Sequence, residues 1–188
     1  GHLYLYFYES NPRTERNLKQ AISQIDVPEK IVISQQRGEF HDVFDPLLNK
    51  LNAWSPNNPP IFSFIDPFGF KGMPFEIISK LLSLGSSEVF INFMKRSIYR
   101  FIEHRDPKIR AHIEQVFGTS EVFDIIDNSN MPLDELRSLY HKQLRTKAMS
   151  KYVRFFEMRD TNDSPIYDLF FATNHQLGFV KMKEAMWK

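Results

Sequence analysis

At positions 61–69 the chain reads IFSFIDPFG, a largely apolar run that stops at an acidic residue and a proline. The residues from Ile61 to Ile65 are typical of a buried β-strand, whereas Asp66-Pro67 fixes a rigid turn. In an open parallel sheet, ligands bind outside the carboxyl ends of the strands. The residues directly after this strand, Asp66, Pro67 and Phe68, are therefore the candidate catalytic residues.

The groups in this turn suit the binding of an amine. The Asp66 carboxylate and the Pro67 carbonyl can both accept hydrogen bonds from an exocyclic amine. A ring at Phe68 or Phe70 can stack on a planar base. The alternative interpretation is a turn that only ends a strand, and these few residues do not decide between the two.

Strands and helices alternate on both sides of the turn. The pattern predicts strands at 3–8, 31–33, 61–65 and 88–93, and helices near 13–25, 43–51 and 75–84. Near-continuous apolar strands separated by helices are typical of a mostly parallel sheet with helices on both faces. The first half of the chain is therefore predicted to have a Rossmann-like α/β layout.

The second half departs from this alternation. A helical insertion of two or three helices is predicted at about 96–148, followed by strands near 152–158 and 165–172 that form an antiparallel hairpin. An amphipathic helix is predicted at 176–187. The whole of 1–188 is expected to fold as a single α/β domain.

The composition excludes several classes of function. The chain of 188 residues has no cysteine, so disulfides, thiolate metal sites and cysteine nucleophiles are excluded. No metal site is predicted, because the histidines lack metal-binding spacing, and motifs for acyl transfer or ATP hydrolysis are also missing. Neither a long apolar stretch nor a signal peptide is present, so we expect no membrane partner and a cytoplasmic location.

Two segments, 95–100 and 137–151, are rich in basic residues. We interpret these segments as solvated helix faces. The alternative interpretation is that they line a path for phosphates. The formal net charge of +1 does not indicate a nucleic-acid binder by itself.

Two acidic residues follow the predicted strands of the first half. Glu9 comes after the first strand and Glu39 comes after the second. A carboxylate at a strand end can accept hydrogen bonds from both hydroxyls of a ribose. For Glu9 the alternative is a solvated turn residue or an N-terminal charge of the helix after Pro12, and for Glu39 it is a helix-start carboxylate.

Several segments in order resemble the three-Cys-motif partner protein family almost end to end. They are Tyr8-Glu9-Ser10-Asn11, Gly38-Glu39-Phe40, 64–69, 88–94, and 172–175 with 182–187. The family is similar to class I S-adenosylmethionine-dependent methyltransferases. The resemblance implies that Glu9 holds the cofactor ribose, Glu39 lies near its adenine, and Asp66-Pro67-Phe68 binds the target. The turn departs from the Asp-Pro-Pro-Tyr pattern of amino-methyltransferases.

The chain also lacks the usual first strand and the glycine loop of that family. Its glycines never form a Gly-x-Gly sequence. By the resemblance, this strand is central and lies between the strands that end at Tyr8 and Ile65, so a gap is expected there. The chain is then a fragment, or its sheet closes differently, or it borrows a strand from another copy. S-adenosylmethionine should bind weakly, if at all.

Two functions are compatible with this sequence. The first is a methyltransferase-like domain acting on an amino group, for example of a nucleic-acid base. The second is a non-catalytic binding or assembly module. The corresponding partners are a nucleic acid, or another protein or a second copy of the chain.

Overall fold

The structure is a computed structural model that describes residues 1–54, 59–67, 73–102 and 106–186. The chain forms two compact units, Gly1–Ala53 and Trp54–Lys188. Both units combine helices with strands, so the mixed α/β class is confirmed. The prediction that 1–188 forms a single domain stays a prediction.

The first unit is a strand–helix–strand–helix segment. It contains β1 (Leu3–Glu9), α1 (Pro12–Ser23), β2 (Ile31–Arg37) and α2 (Phe40–Trp54). The strands β1 and β2 are parallel, with Leu3 opposite Ile31 and Glu9 opposite Arg37. Helix α1 begins where it does because Asn11 Oδ1 accepts hydrogen bonds from the first free backbone N–H groups, and Pro12 needs no such partner.

The apolar side chains of β1 are more exposed than the sequence predicts. Leu3 is 55% exposed and Tyr4 42% exposed, although the run was expected to form a buried strand. Among the described residues β1 pairs with β2 alone. A sheet of two strands offers few neighbours to cover its side chains, which explains the difference.

The second unit contains a mixed sheet of four strands. The strands are β3 (Ile61–Ile65), β4 (Ser87–Phe93), β5 (Tyr152–Arg159) and β6 (Pro165–Thr173), and α3 (Phe75–Ser83) connects β3 to β4. Their order in the sheet is β3-β4-β6-β5. β3 and β4 are parallel, whereas β6 is antiparallel to both of its neighbours. The predicted C-terminal hairpin is therefore confirmed.

The insertion between β4 and β5 has four described helices, not two or three. They are α4 (Lys95–Ile102), α5 (Pro107–Phe117), α6 (Glu121–Asn128) and α7 (Pro132–Thr146). The sequence carries the additional boundaries: Asp106 caps α5, Gly118 ends it in the left-handed conformation, and Pro132 begins α7. Within the described ranges no helix is long and apolar enough to cross a lipid bilayer.

One face of this sheet carries the core of the second unit. There the ring of Tyr140 from α7 stacks on Phe93 with centroids 4.4 Å apart, and it meets Phe75, Phe117 and Phe170 edge-on. All five side chains are almost completely buried. These offset and edge-on contacts, in addition to the buried area, stabilise the packing of α3, α5 and α7 on the sheet.

The opposite face is covered only in part by the described residues. The last helix, α8 (Gln176–Met186), packs on β5 and β6, where Phe179 stacks on Tyr152 at 5.4 Å. Over β3, in contrast, Phe62 and Phe64 are 56% and 58% exposed. The expected burial of every strand on both faces is therefore wrong for β3.

Candidate functional site

The Asp66 carboxylate is held at the carboxyl end of β3 by a side chain of the neighbouring strand. Asn92, next to last in β4, donates from Nδ2 to Asp66 Oδ1 over 2.7 Å. The parallel register pairs Ile65 with Ile91, so the next residues, Asp66 and Asn92, are adjacent. A carboxylate only accepts hydrogen bonds, so the Asn92 amide must present its nitrogen.

The second oxygen of Asp66, Oδ2, accepts no hydrogen bond from the described residues, and the side chain is exposed. Ile65 and Ile91 are buried beneath the pair and hold the two strand ends in place. Asn92 Oδ1 is buried and accepts no hydrogen bond from the described residues. The arrangement therefore presents one fixed acceptor to an approaching N–H group.

Of the other two candidate residues in the turn, the structure describes Pro67 and not Phe68. Pro67 follows Asp66 and is half-buried. Phe68 and Phe70 lie outside the described residues. Their role as stacking rings therefore stays a prediction, and Asp66 is the candidate with a defined environment.

Three phenylalanines beside Asp66 form what we call the aromatic face: Phe62 and Phe64 of β3, and Phe90 of β4. The Phe90 ring contacts both of the others, with ring centroids 6.5 Å from Phe62 and 5.7 Å from Phe64. From the sequence these residues are predicted only as parts of strands. The signal that could have identified them is the spacing of 62 and 64, which places Phe62 and Phe64 on one side of the strand.

A group of charged residues on the other face of the sheet forms what we call the buried ion cluster: Lys95, Arg137, Glu157 and Asp168. Lys95 Nζ lies 2.6 Å from Glu157 Oε2 and 3.0 Å from Asp168 Oδ1. Arg137 Nε donates to Asp168 Oδ2 over 2.9 Å, and Arg137 also pairs with Glu157. Two cations thus meet two carboxylates.

The cluster corrects the interpretation as solvated helix faces for Lys95 and Arg137 alone. The other described basic side chains of the two segments are exposed as expected: Arg100, Lys142, Arg145, Lys147 and Lys151. The side chain of Lys95 is 1% exposed and that of Arg137 is 13% exposed. Burial lowers the pKa of Lys95, although its hydrogen bond to Asp168 opposes this effect. Local sequence patterns do not reveal the cluster, because the partner carboxylates lie in the distant hairpin, at β5 and β6.

Glu9 and Glu39 lie at the same edge of the first unit. The strands β1 and β2 are parallel, so their carboxyl ends meet there. Glu9 Oε1 accepts a hydrogen bond from the Asn11 backbone N–H over 2.8 Å. The Glu39 carbonyl accepts from Asp42 and Val43 and thereby begins α2. The carboxylate of Glu9 thus contacts its own turn, whereas the contacts of Glu39 are those of its backbone and its carboxylate role stays a prediction.

Within the part of the chain that the structure describes, no three His, Asp or Glu side chains converge as metal ligands would. The resemblance described above stays a prediction. The chain matches no protein-family model, and no curated protein or solved structure is significantly similar to it.

Proposed function

We propose that the second unit is the target-binding part of an S-adenosylmethionine-dependent methyltransferase-like domain, in which Asp66 accepts a hydrogen bond from the amino group of the target. One observation carries the proposal: Asn92 donates to Asp66 Oδ1 over 2.7 Å, and the Asp66 side chain is exposed. A fixed acceptor orients an amine before it reacts, and such orientation can contribute several kcal/mol to catalysis.

The resemblance expects a central strand between the one that ends at Tyr8 and the one that ends at Ile65. Among the described strands, β1 pairs with β2 and β3 pairs with β4. The expected central strand stays a prediction.

The residues present fit S-adenosylmethionine only in part. Glu9 Oε1 already accepts from the Asn11 backbone N–H, so a ribose diol would have to share this carboxylate with the turn. No Gly-x-Gly loop exists in the chain to offer backbone N–H groups to the methionine carboxylate. We therefore derive no step through the cofactor, and we keep the expectation that this chain binds it weakly.

The second candidate is a binding or assembly module without catalysis. Two observations favour it: Glu9 is used in its own turn, and apolar side chains are exposed on β1 and on β3. Exposed apolar surface of this kind is typical of interaction sites. The two candidates differ in one measurable property, the dependence of ligand binding on an amino group and on Asp66.

Adenosine and purine riboside test this dependence, because they share a ring system and differ in the exocyclic amine. We expect adenosine to bind about tenfold more tightly, since a hydrogen bond to a charged acceptor is worth about 1.5–3 kcal/mol. Asp66→Ala should remove the preference without changing the melting temperature. The measurement is calorimetric titration of the wild-type chain and the variant.

The matched control is Asp127→Ala, which removes an exposed aspartate in α6 of the same unit. This variant should keep the preference for adenosine. Equal affinities of the wild-type chain for the two nucleosides would contradict the proposal. A large fall in the melting temperature of Asp66→Ala would instead assign Asp66 to structure, with a cost of about 1–3 kcal/mol.

A further inference from the structure

A row of side chains along β3 joins the aromatic face to the Asp66–Asn92 pair. Because side chains alternate along a strand, Phe62 and Phe64 point to the same side of the sheet. Asp66, the residue after the strand, bonds to Asn92, which lies on the side of Phe90 in β4. Phe64 is paired with Phe90 in the register, and Asp66 is bonded to Asn92 two residues further on. Two residues of a parallel strand span about 6.6 Å. A single flat heterocycle can therefore contact the Phe64 ring and the Asp66 carboxylate together.

The rings of this row are exposed but not loosely placed. Phe64 is 58% exposed, and its ring packs against Phe90, which in turn meets Phe171 with centroids 6.5 Å apart. Phe171 is completely buried. The buried ring thus supports an exposed one, and the exposed ring offers a fixed surface to a ligand.

We infer that Phe64 is the stacking residue of the target site, and that the target is a nucleobase with an exocyclic amine, such as adenine or cytosine. This inference rests on the proposed function and adds to it the residue that selects a flat ring. The carboxylate can only accept, so the ligand must donate an N–H at its edge. Every base also has a flat face that can stack on an aromatic side chain.

An arginine side chain of a protein partner is also flat and also donates N–H groups. Guanidinium–carboxylate pairs are strongest when both carboxylate oxygens accept in parallel. At Asp66 such a pair would have to share Oδ1 with Asn92, which already donates to it. An exocyclic amine needs only one acceptor oxygen, and a base covers more of the two exposed rings than a guanidinium does. The geometry therefore favours the base.

The test uses the whole chain, titrated with adenosine and purine riboside by calorimetry. Phe64→Leu should weaken the binding of both nucleosides about fivefold or more, because it removes a stacked ring. The preference for adenosine should survive, since it depends on Asp66. Phe64→Tyr keeps the ring and should bind as the wild-type chain does. The matched control is Phe7→Leu, an exposed phenylalanine of the first unit.

Three outcomes would overturn the inference. Unchanged affinity of Phe64→Leu with the adenosine preference intact would refute the role of Phe64 and leave the proposed function standing. If the wild-type chain bound adenosine no more tightly than purine riboside, the proposed function would be refuted, and this inference with it. Binding of arginine amide that depends on Phe64, without binding of adenosine, would assign the surface to a basic side chain.

Discussion

The two faces of the sheet in the second unit use the same residue type in opposite ways. On the covered face, Phe93 and Phe170 are at most 1% exposed and pack around Tyr140. On the aromatic face, Phe62 and Phe64 are more than half exposed. A phenylalanine contributes to stability in proportion to the area it buries. The comparison teaches that the covered face maintains the fold and that the aromatic face is available for binding.

The largest effect is expected in the buried ion cluster on the covered face. Asp168→Asn keeps the volume of the side chain but leaves Lys95 and Arg137 with one carboxylate fewer. Removing one partner of a buried ion pair typically costs about 3–5 kcal/mol of folding free energy. Denaturant unfolding measures this loss. Asp168 is fully buried, so solvent cannot compensate for the missing charge.

An exposed ion pair of the same unit gives the control for this variant. Lys142 Nζ lies 2.8 Å from Glu121 Oε2, and both side chains are more than half exposed. Glu121→Gln should therefore cost less than about 1 kcal/mol. If the two variants had equal stability, the cluster would stabilise the fold no more than a surface ion pair does. The two faces of the sheet would then not differ in their electrostatic contribution to stability.

A direct comparison of the faces comes from the same substitution on each. Phe93→Leu opens space beneath Tyr140 and should cost about 1–3 kcal/mol, whereas Phe64→Leu should change the stability by about 0.5 kcal/mol or less. Thermal melts of the two variants measure the difference. A large loss of stability in Phe64→Leu would mean that the aromatic face belongs to the core.

The smallest effect is expected at the Tyr140 hydroxyl. This group is buried and forms no hydrogen bond with the described residues. Tyr140→Phe removes a polar atom without a partner, so at neutral pH the variant should be as stable as the wild-type chain or up to about 1 kcal/mol more stable. A loss of stability would show that the hydroxyl has a partner.

Alkaline pH sharpens the same prediction. Burial raises the pKa of Tyr140 above the ordinary value of 10.0, so the folded state keeps a proton that the unfolded state releases. The contribution of Tyr140 to stability is therefore complete below pH 10.0 and is lost as the pH rises above it. Between pH 9 and about pH 11, unfolding curves should show a smaller loss of folding stability for Tyr140→Phe than for the wild-type chain.

Local sequence signals predicted much of the fold. Apolar runs and helical spacing located every strand and helix of the first unit, and the strand patterns near 152–158 and 165–172 located the hairpin of β5 and β6. The number of helices in the insertion was underestimated, although Asp106, Gly118 and Pro132 mark the boundaries. Burial was less predictable, because it depends on which neighbours cover a strand and not on the strand itself.

For the candidate site, the position of Asp66 could be predicted but its environment could not. The break from apolar strand to Asp66-Pro67 is visible in the sequence, whereas the bond from Asn92 depends on the register between β3 and β4. The buried ion cluster depends on contacts at still longer range, and side-chain charge alone made Lys95 resemble a surface residue. Local sequence patterns thus do not predict the interactions between residues that are distant in the chain.

The same long-range character has a consequence for the order of folding. Lys95 and Asp168 are 73 positions apart, and Lys95 and Glu157 are 62 positions apart. A contact that closes so long a loop forms at a large entropic cost, whereas the helices between them form from local contacts. We expect the four helices to gain structure before the charges meet, so that the cluster governs the rate of unfolding more than the rate of folding. Once formed, the cluster joins the hairpin to α4 and α7 and opposes their separation.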